Sequence, residues 1–409
     1  MNRAPALLLC LIPALTTLGC DKDRTTGVDT ADVDPEWPLG IESIAACRDG
    51  SYPTEGATFA SALCVTGEAY VAGVAYPTVE EAVGAASDGE TVYVCPGTHA
   101  VHLAIAGVER TIEGVTGDPA DVILDGGGTA RILDAESSTL TLINLTLQGG
   151  KEVEDHGGAI QAVDSHLTIH CSVFSENQAN DGGAIYIGGL NPAQVAIVDS
   201  VFAENRAAGQ GGAVDFSSSG GGELMLQGSE FSANVSDDEA GALSIDGWEH
   251  EEVYVLTTTF SENTTEREGG AISMDSWDSG RLFVYDSAFS GNSARRSGGV
   301  ALGGFAEGLE AEFIATRFDG NQSDEESSAL GVNDYADPVT LALDGCTITN
   351  NVGAPAVEVS GTTTVVSADT HWGDGKTDNG EGDLTAPCGT YTTLGEGESF
   401  TCLPDGTWK

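Results

Sequence analysis

Basic residues are scarce in this chain: its 409 residues include 15 Lys and Arg against 64 Asp and Glu, which gives a formal charge of −49 at pH 7. A protein that binds nucleic acid through a basic face needs Lys and Arg to contact phosphates, so the composition excludes that class. The same charge opposes adsorption to anionic membranes. Charged residues make up only 19% of the chain and hydrophobic ones 40%, which excludes a disordered acidic chain and allows a folded core.

Long hydrophobic runs are also missing after the first twenty residues. Arg3 precedes a mostly apolar stretch at 4–15, and the run ends in a Leu-Gly-Cys triplet at Cys20. Because this stretch is too short for a membrane span, it predicts an export signal at residues 1–20. The mature chain is therefore expected to lie outside the cytoplasm.

The end of this signal resembles a bacterial lipoprotein box. In such a box the cysteine, here Cys20, becomes the lipidated first residue, although Thr17 stands where a Leu is usual. The resemblance implies an outer-membrane or cell-surface location through a lipid anchor, which would be the chain's only contact with a membrane. An ordinary cleaved signal, which would give a fully secreted protein, is the alternative.

The chain has no CxxC pair, so a zinc site built on such pairs is excluded and no metal ligands are assigned. Near the C-terminus, Cys388 and Cys402 flank a short Gly-rich stretch. In an exported protein this arrangement predicts a disulfide.

Five further cysteines follow the predicted signal. Two of Cys47, Cys64 and Cys95 are expected to pair and fasten the N-terminal end, and the sequence leaves the choice among them open. The other two, Cys171 and Cys346, lie on repeat positions far apart in the chain. We therefore expect both of them to be free, buried thiols.

Glycine is abundant, with 55 residues, and much of it belongs to a repeat. The segment Phe-x-x-Asn recurs every 28 to 30 residues, and a Gly-Gly-Ala-apolar segment recurs between its copies, most clearly from Gly157, Gly182, Gly211 and Gly269. The Phe and Asn positions are Phe174, Asn177, Phe202, Asn205, Phe231, Asn234, Phe260, Asn263, Phe289, Asn292, Phe318, Asn321 and, after Ile348 in the seventh copy, Asn351. A repeat of this length predicts a stack of similar units.

Apolar residues stand five and seven places before each Phe, and this period of two is typical of strands. Since the pattern recurs from repeat to repeat, each strand is expected to lie over its counterpart in the next one. A parallel β-helix of roughly ten coils satisfies both observations. Each coil would contain about three strands, and successive coils would lie about 4.8 Å apart. The Phe and aliphatic columns would fill its interior, the Asn column would pass hydrogen bonds between coils, and Gly would form the corners. A leucine-rich horseshoe is the rival, but the repeat contains no helical stretch.

The rest of the chain divides around this repeat. Residues 21–45 are rich in Asp and Thr and predict an acidic flexible tether. The β-helix domain with its N-terminal cap would span 46–370, with the regular repeats at 157–351, and residues 371–409 would form a C-terminal cap.

Both ends of such a rod need cover, because open strand edges pair with other chains. A short helix at 78–88, begun by a capping box of Thr78 and Glu81, fits a plug for the first coil. At the other end, the segment that contains Trp372 fits a cover for the last coil.

These repeats resemble the right-handed parallel β-helices of the pectin-lyase-like superfamily. The two motifs in register are similar to the repeats of chlamydial polymorphic outer membrane proteins over about residues 157–351, roughly half of the chain. The resemblance implies an all-β, right-handed parallel β-helix solenoid. It implies no particular reaction, because that superfamily includes polysaccharide lyases, hydrolases and adhesins without catalysis.

Two columns of the repeat carry residues that suit a ligand. Aligned on the Gly-Gly-Ala segment, Asp246 and Asp275 take the same place in adjacent coils, Trp248 and Trp277 follow two places later, and Tyr335 falls in the Trp column two coils on. Flat aromatic rings beside carboxylates predict a sugar platform, in which the carboxylates bind hydroxyls or hold Ca²⁺. The alternative is drift of the repeat with Trp packed on a loop.

The same Asp pair could be considered for glycoside cleavage, because carboxyls on stacked coils can lie at the separation of about 5–5.5 Å that retaining enzymes use. Surface Asp is abundant, however, and the Asn-Thr-Asp, Asp-Asp and Gly-His-Gly set of pectin hydrolases is missing. No catalytic residue is therefore assigned, and no cofactor is expected apart from Ca²⁺ at this pair.

Two further groups of polar residues look structural. One column reads Asp238, Arg267, Arg296 and Glu325 in successive coils, which predicts exposed ion pairs. His166 and His170 share the outward face of one strand and, without a third ligand, are interpreted as solvated. Asp215 lies near the Asp pair but two positions earlier in its repeat.

The sequence thus favours an exported, non-catalytic β-helical protein that acts as an adhesion or envelope scaffold. Its expected partners are glycans or surface proteins, and no nucleic acid. A secreted polysaccharide lyase or glycoside hydrolase on the same rod is the second hypothesis. The acidity itself could also serve to keep a surface protein hydrated in saline surroundings.

Overall fold

The structure is a computed structural model that describes residues 64–304, 308–334, 339–359, 363–368, 370–372, 379, 384–385 and 391–393. All of these residues belong to the unit that spans Ile44–Lys409. The predictions that concern Cys20, Cys47, Tyr335, Cys388 and Cys402 lie outside the described residues.

Short strands with alternating apolar and polar residues form four sheets, which we number 1 to 4. Sheet 1 contains β1 (Ala69–Val71), β2 (Val74–Tyr76), β3 (Thr91–Val94), β6 (Glu109–Gly114), β9 (Thr139–Ile143), β13 (His166–His170), β17 (Ala193–Val198), β21 (Gly222–Gln227), β25 (Glu251–Leu256), β29 (Gly280–Tyr285), β33 (Glu310–Ile314), β37 (Thr340–Asp344), β41 (Thr364–Ala368) and β43 (Tyr391–Thr393). Sheet 2 contains β4 (Gly97–Ala100), β7 (Val122–Asp125), β10 (Thr146–Gln148), β14 (Val173–Ser175), β18 (Val201–Ala203), β22 (Glu230–Ser232), β26 (Thr259–Ser261), β30 (Ala288–Ser290), β34 (Arg317–Asp319) and β38 (Thr347–Thr349).

The other two sheets follow the Asn and the Gly-Gly-Ala segments of the repeat. Sheet 3 contains β11 (Lys151–Glu152), β15 (Gln178–Ala179), β19 (Arg206–Ala207), β23 (Val235–Ser236), β27 (Thr264–Thr265), β31 (Ser293–Arg296), β35 (Gln322–Glu325) and β39 (Val352–Gly353). Sheet 4 contains β5 (Leu103–Ala106), β8 (Leu133–Glu136), β12 (Ile160–Val163), β16 (Ile185–Gly189), β20 (Val214–Ser218), β24 (Leu243–Gly247), β28 (Ile272–Ser276), β32 (Val300–Gly304), β36 (Leu330–Asp334), β40 (Val357–Val359) and β42 (Leu384–Thr385).

Apart from β1, which pairs antiparallel with β2 and β3, and β2, which pairs only with β1, each strand pairs in parallel with its counterpart one coil away. The chain therefore winds into a parallel β-solenoid of about nine turns, close to the predicted ten. The expectation of about three strands per coil was too low, because a two- to four-residue strand in sheet 3 follows the Asn as a fourth. The horseshoe is excluded, since no helix interrupts the described repeats. Right-handed winding stays a prediction.

The Phe column is a single internal stack, as the repeat predicted. From Phe174 to Phe318, six fully buried rings stack with 4.7 to 5.0 Å between successive centroids and interplanar angles of 2° to 13°. The predicted aliphatic positions, such as Leu167 and Ile169 on β13, belong to the same core. Because equivalent side chains of successive coils contact each other, the same residue type fits at a given position of the repeat in every coil.

A ladder of buried Asn side chains runs parallel to the Phe stack. Asn234 is typical: its Nδ2 donates to Asn263 Oδ1 at 2.9 Å and to the Phe202 carbonyl at 3.0 Å. Its Oδ1 accepts from both the backbone N–H and the Nδ2 of Asn205. All four hydrogen-bonding positions of the amide are thus used, so its burial leaves nothing unpaired. The ladder continues beyond the predicted members to Asn379, which accepts from Asn351.

A second ladder lies two places before the Phe column. Ser200 Oγ accepts from the backbone N–H of Ser172 at 3.1 Å, and Ser229 Oγ accepts from Ser200 N–H at 3.2 Å. Each hydroxyl in turn donates to the carbonyl two residues before it, as Ser200 does to Val198 at 2.8 Å. Cys346 takes this position in the last repeat and, as predicted, is a free, buried thiol.

The Gly-Gly corners are required by contact as well as by conformation. The first glycine has a positive φ, as at Gly211 (63°), which a residue with Cβ resists. The second glycine faces the next coil: a Cβ on Gly212 would lie 2.1 Å from the carbonyl oxygen of Gly241. Glycine therefore suits these corners best, although Ala240 (φ 56°) and Ser297 (φ 49°) take the place of the first glycine in two coils.

Helix α1 (Val79–Ala85) covers the first coil as predicted, although it is shorter than the expected 78–88. Thr78 caps it by accepting from the Glu81 backbone N–H at 3.2 Å, and its apolar stripe enters the core. The hairpin β1–β2, which the sequence did not reveal, adds antiparallel strands at this edge. The open choice among the N-terminal cysteines resolves to a disulfide between Cys64 and Cys95.

At the other end, the segment after residue 370 is partly described. Trp372 is buried in the core, and its role in covering the last coil stays a prediction. In addition, β42 and β43 extend sheets 4 and 1 beyond residue 370.

The prediction for Cys171 was wrong, because this residue is disulfide-bonded. Its partner is a cysteine outside the described residues, since Cys64 pairs with Cys95 and Cys346 is free. Cys171 follows β13 at a corner with φ of 50°, and it is buried without belonging to the main core cluster. Its repeat register suggested an interior position and so misled the sequence argument.

We predict that Asn263→Ala destabilises the solenoid by at least about 3 kcal/mol, because it leaves the Asn234 amides, the Phe231 carbonyl and Asn292 Oδ1 short of a partner in a buried site. The denaturant midpoint of unfolding measures this loss. Thr264→Ala, an exposed change on the next residue, is the control. Equal midpoints for the two variants would contradict a stabilising role of the ladder.

We further predict that Gly212→Ala costs about 2 kcal/mol or more, because the added methyl overlaps the Gly241 carbonyl of the next coil. Gly84→Ala, placed in α1 with nothing within 4 Å of the new Cβ, should instead be neutral or stabilise by up to about 1 kcal/mol. Thermal unfolding of both variants tests the contrast, and a Gly212→Ala protein as stable as the parent would refute the close approach.

Candidate functional site

The predicted Asp and Trp residues come together on one corner of the solenoid. Strands β24 and β28 pair in parallel register, so Asp246 lies directly beside Asp275 on the outward side. Trp248 and Trp277 follow in the loops that lead from sheet 4 to sheet 1. We call these four residues the Asp–Trp face.

The two indole rings stack on each other in solvent. Their centroids are 5.4 Å apart with an interplanar angle of 16°, and Trp248 and Trp277 remain 61% and 42% exposed. The Trp277 side chain also hydrogen-bonds the Asp246 carboxyl, which fixes the ring relative to the strand. Rings as exposed as these are not packed onto a loop, which was the alternative interpretation of the two Trp residues. Tyr335, the third aromatic of the predicted column, lies outside the described residues.

The two carboxyl groups beside the rings are half-buried. Burial raises the pKa of Asp275 to about 6, with Glu268 and Asp246 adding to the rise, and burial also raises the pKa of Asp246. Oδ1 of Asp246 is buried and has no hydrogen-bond partner among the described residues. The next residue in the column is Gly303, where a Cβ would lie 2.0 Å from Asp275 Oδ1, so the glycine makes room for the carboxyl.

Further acidic side chains adjoin the Asp pair at the corner between sheets 3 and 4. Glu239 and Glu268 pair in adjacent coils and are nearly buried. Burial, with Asp275 adding, raises the pKa of Glu239 to about 7, although Arg267 contacts its carboxylate at 2.6 Å. Asn333 donates to Glu268 at 3.0 Å from two coils away. The site therefore offers many acceptors and few donors.

Sequence reasoning missed a second group of titratable residues on sheet 4, at the first repeats. His156 Nδ1 lies 2.8 Å from Asp181 Oδ2, and the imidazole stacks on the Tyr186 ring with 4.4 Å between centroids. Asp215 pairs with Tyr186 in register and is almost completely buried. His156 belongs to a loop before the first regular repeat, so no column revealed it, whereas the register of Tyr186 and Asp215 could have.

Burial dominates the pKa of Asp215 but not that of His156. It raises the pKa of Asp215 to about 8, with Asp181 and Asp246 adding and the hydrogen bond from Ser217 opposing. The hydrogen bond to Asp181 raises the pKa of His156 despite burial. Asp215 is also two register positions from Asp246, as the sequence predicted, because it pairs with Ser244.

The column of alternating charges forms the predicted ion pairs. Arg267 contacts Asp238 at 2.8 Å, and Arg296 contacts Glu325 at 3.8 Å. Each of these side chains is at least partly exposed, so the pairs contribute under about 1 kcal/mol each.

Of the two histidines on β13, His166 and His170, only the first is solvated. His166 is exposed, whereas His170 is 7% exposed and burial lowers its pKa to about 4. The interpretation of His170 was therefore wrong, because the outward face of β13 is covered at that position.

Among the described residues, no helix is both long and apolar enough to span a membrane. In the same part of the chain, no group of three or more His, Cys, Asp or Glu side chains has the arrangement of a metal site, and this includes the Asp–Trp face.

Part of the chain matches a known protein family. Residues 172–188 and 257–274 match the model of the Chlamydia polymorphic membrane protein (Chlamydia_PMP) repeat, which confirms the resemblance seen in the Gly-Gly-Ala and Phe-x-x-Asn motifs. Neither the curated proteins nor the solved structures contain a match. With the parallel β-solenoid, the repeat match indicates a surface or outer-membrane type of repeat protein.

The buried acids predict an unusual dependence of stability on pH. The folded pKa values of Asp215, Glu239 and Glu251 are raised to about 8, 7 and 7, above those of exposed carboxyls. Folding therefore favours the protonated forms, so their contribution is complete below the unfolded pKa values of about 4 and is lost as the pH rises from there through the folded values of about 7 to 8. We expect the denaturant midpoint to fall over this range.

Asp215→Asn should reduce the fall of the denaturant midpoint at the high-pH end of this range, because an amide cannot ionise. The exposed change Asp278→Asn is the control and should leave the profile unchanged. A parent profile that is level between pH 6 and pH 8, or that rises, would show that these acids are not buried as described.

Proposed function

We propose that this protein is a surface-displayed, non-catalytic repeat protein that binds glycans through the Asp–Trp face. The observation that carries the proposal is the exposed, parallel pair of Trp248 and Trp277 beside the carboxyls of Asp246 and Asp275. The repeat match and the solenoid supply the surface context.

The chemistry of the four side chains suits a sugar. Binding is favourable when the apolar face of a pyranose covers exposed indole rings and removes them from water. Carboxylates are acceptors, so they bind the hydroxyl donors at the rim of the same ring. The carboxyls of Asp246 and Asp275 are both partly exposed, so each can offer an oxygen to such a donor.

The stacking of coils extends the face along the rod. The two rings lie on adjacent coils with 5.4 Å between their centroids, so two successive sugar units can contact the two coils. The rings sit on loops whose ends are fixed by β24, β25, β28 and β29, which limits the entropy lost on binding.

The negative charge of the protein limits the classes of glycan that we expect it to bind. With a net charge of −49 and several carboxyls at the face, the protein repels polyuronates at low salt. Neutral sugars and sugars that carry free amino groups fit this field better, and an ammonium group can also contact an indole face. We therefore expect neutral or amine-bearing polysaccharides to bind and uronates to bind only with Ca²⁺.

The location belongs to the same proposal. The export signal at 1–20 and the lipoprotein-like Cys20 support a lipid anchor at the outer membrane or cell surface. The disulfide between Cys64 and Cys95 supports an oxidising compartment, because such bonds persist outside the cytoplasm.

We predict that Trp248→Ala and Trp277→Ala each weaken binding to the best glycan of a panel by about tenfold or more, the loss expected when a central aromatic contact is removed. The panel contains neutral, amine-bearing and uronic polysaccharides, each with and without Ca²⁺, and calorimetry gives the affinities. Leu190→Ala is the matched control, because Leu190 is 81% exposed in the equivalent loop two coils earlier.

Unchanged affinity in both Trp variants would refute the face as the binding site. The same incubations distinguish the rival hypothesis of a polysaccharide lyase or glycoside hydrolase. Release of oligosaccharide that is abolished by Asp246→Asn or Asp275→Asn would make the protein an enzyme instead.

A further inference from the structure

A carboxyl group lies in the interior of the solenoid beside the loop that carries Trp248. Glu251 begins β25, three residues after Trp248. Its side chain points to the same side of the strand as Val253 and Val255, which belong to the core, and it is completely buried. The Asp–Trp face as described above makes no use of this ionisable group, so its presence requires another explanation.

The neighbouring coils carry small residues at the same position. In parallel register, Ala193 and Gly222 precede Glu251 in its column and Gly280 follows it. The end of β24 also leaves space, because a Cβ on Gly247 would overlap the Glu251 carboxyl. The solenoid therefore does not need a long side chain at this position, and the surrounding glycines make room for the one that is there.

The hydrogen bonding of this carboxyl is incomplete. Its Oε2 accepts from the hydroxyl of Ser276 at 3.1 Å. Its Oε1 is buried and has no hydrogen-bond partner among the described residues. Because a buried polar atom without a partner destabilises a fold, packing alone does not explain why Glu251 stands where other coils have Gly or Ala.

The contacts of Glu251 join the loops of the two Trp residues. Glu251 directly follows the loop 248–250, and its hydrogen-bond donor Ser276 directly precedes Trp277. The same two segments are joined again where the Trp277 backbone N–H donates to the Gly247 carbonyl at 3.1 Å. The carboxyl thus contacts the base of each loop and contributes to the spacing at which the rings stack.

The ionisation of this carboxyl is governed by burial. Burial raises the pKa of Glu251 to about 7, against the opposing effects of the Ser276 hydroxyl, adjacent peptide N–H groups and His250. The carboxyl is therefore mostly neutral in weakly acidic surroundings and ionises as the pH rises through neutrality.

The groups around the carboxyl leave burial as the main influence. Uncharged residues face it from the strands packed against it, namely Gly222 on β21, Gly247 on β24, Ser276 on β28 and Gly280 on β29. The charged residues of these strands and of β25 that adjoin this corner point to the outward side: Glu223, Asp246, Glu252, Asp275 and Arg281. The charged or titratable residues of the two loops, Glu249, His250 and Asp278, are exposed.

An ionised carboxyl is unstable at this position, because a charge in the core without a partner loses its hydration. All three residues of the adjoining loop 248–250 are exposed, so a displacement of this loop brings the carboxylate to water while the strands on either side stay paired. Trp248 moves with the loop and leaves its stack with Trp277, which belongs to the next coil.

We propose that Glu251 is a positioning residue for the Asp–Trp face: its neutral carboxyl holds the loop of Trp248 against that of Trp277, and its ionisation releases the loop and separates the two rings. The consequence for glycans rests on the proposed function, whereas the movement of the rings depends on no ligand. Glycan binding is then restricted to acidic and neutral surroundings.

The expected size of the effect follows from the titration. With a pKa of about 7 for Glu251, roughly 90% of the carboxyls are neutral at pH 6 and roughly 10% at pH 8. Because a ligand that needs the stacked rings binds only the neutral fraction, its apparent affinity falls about tenfold between these pH values.

Circular dichroism of the full chain without ligand tests the positioning directly. Two indoles with 5.4 Å between their centroids couple electronically and give a paired band, which is the part of the spectrum that Trp248→Ala removes. In the parent this band should weaken between pH 6 and pH 8. In Glu251→Gln it should persist, because the amide cannot ionise. Glu249→Gln, the same change on an exposed side chain of the same loop, should behave like the parent.

A paired band that is constant with pH in the parent, or that weakens equally in Glu251→Gln, would overturn the proposal. The β-sheet signal, recorded in the same samples, should stay constant because only the loop moves. Its loss in step with the paired band would mean that the whole solenoid opens, and the assigned role of Glu251 would be wrong.

Calorimetry at pH 6 and pH 8 with the best neutral polysaccharide of the panel tests the consequence for binding. We expect an affinity about tenfold lower at pH 8 for the parent and for Glu249→Gln, and a change of less than about twofold for Glu251→Gln. A neutral ligand is used because its own charge does not change with pH.

The carboxyls of Asp275 and Glu239 titrate in the same range, but their effect would remain in Glu251→Gln. A fall of equal size in that variant would therefore refute the role of Glu251. If no glycan of the panel binds at either pH, the proposed function fails, and the paired band alone decides whether Glu251 positions the rings.

Discussion

The structure depends on the vertical register between one coil and the next. Each amide of the Asn ladder uses all of its donors and acceptors only when the Asn above and the Asn below stand directly in line. The paired glycines impose the same condition from another corner, since their backbones approach too closely for any Cβ. A shift of one residue would leave amides unpaired in the interior and move the Phe column outward, so the register is fixed by several penalties acting together.

This constraint explains which features of the structure could be predicted from the sequence. Columns such as Phe202 to Phe231 recur in the chain itself, so the stack, the Asn ladder, the Gly corners and the adjacency of Asp246 and Asp275 all followed from position. Features without a column were missed. The hairpin β1–β2 and His156 lie before the first regular repeat, and Cys171 was misread because its place in the register gave no sign of a segment from outside the repeat.

The position of the Asp–Trp face could be predicted from spacing, but its electrostatics could not. The raised pKa values of Asp275 and Glu239 arise mainly from burial, with neighbouring carboxyls adding to it. Burial depends on neighbours such as Gly303, which matters because of the space it leaves rather than any group it contributes. The ion pairs of Arg267 and Arg296, by contrast, were visible in the sequence because both partners share a column.

The corner loops between sheets 4 and 1 have a different status from the rest of each coil. They begin where the last residues of strands such as β24 and β28 leave the ladder, and Leu190 and the two Trp occupy equivalent places outside the core. A change there alters neither the Phe stack nor the amide chain. Mutation can therefore exchange the exposed residue of one turn at little cost in folding, and a chain of nearly identical turns can acquire a series of different surface specificities along its length.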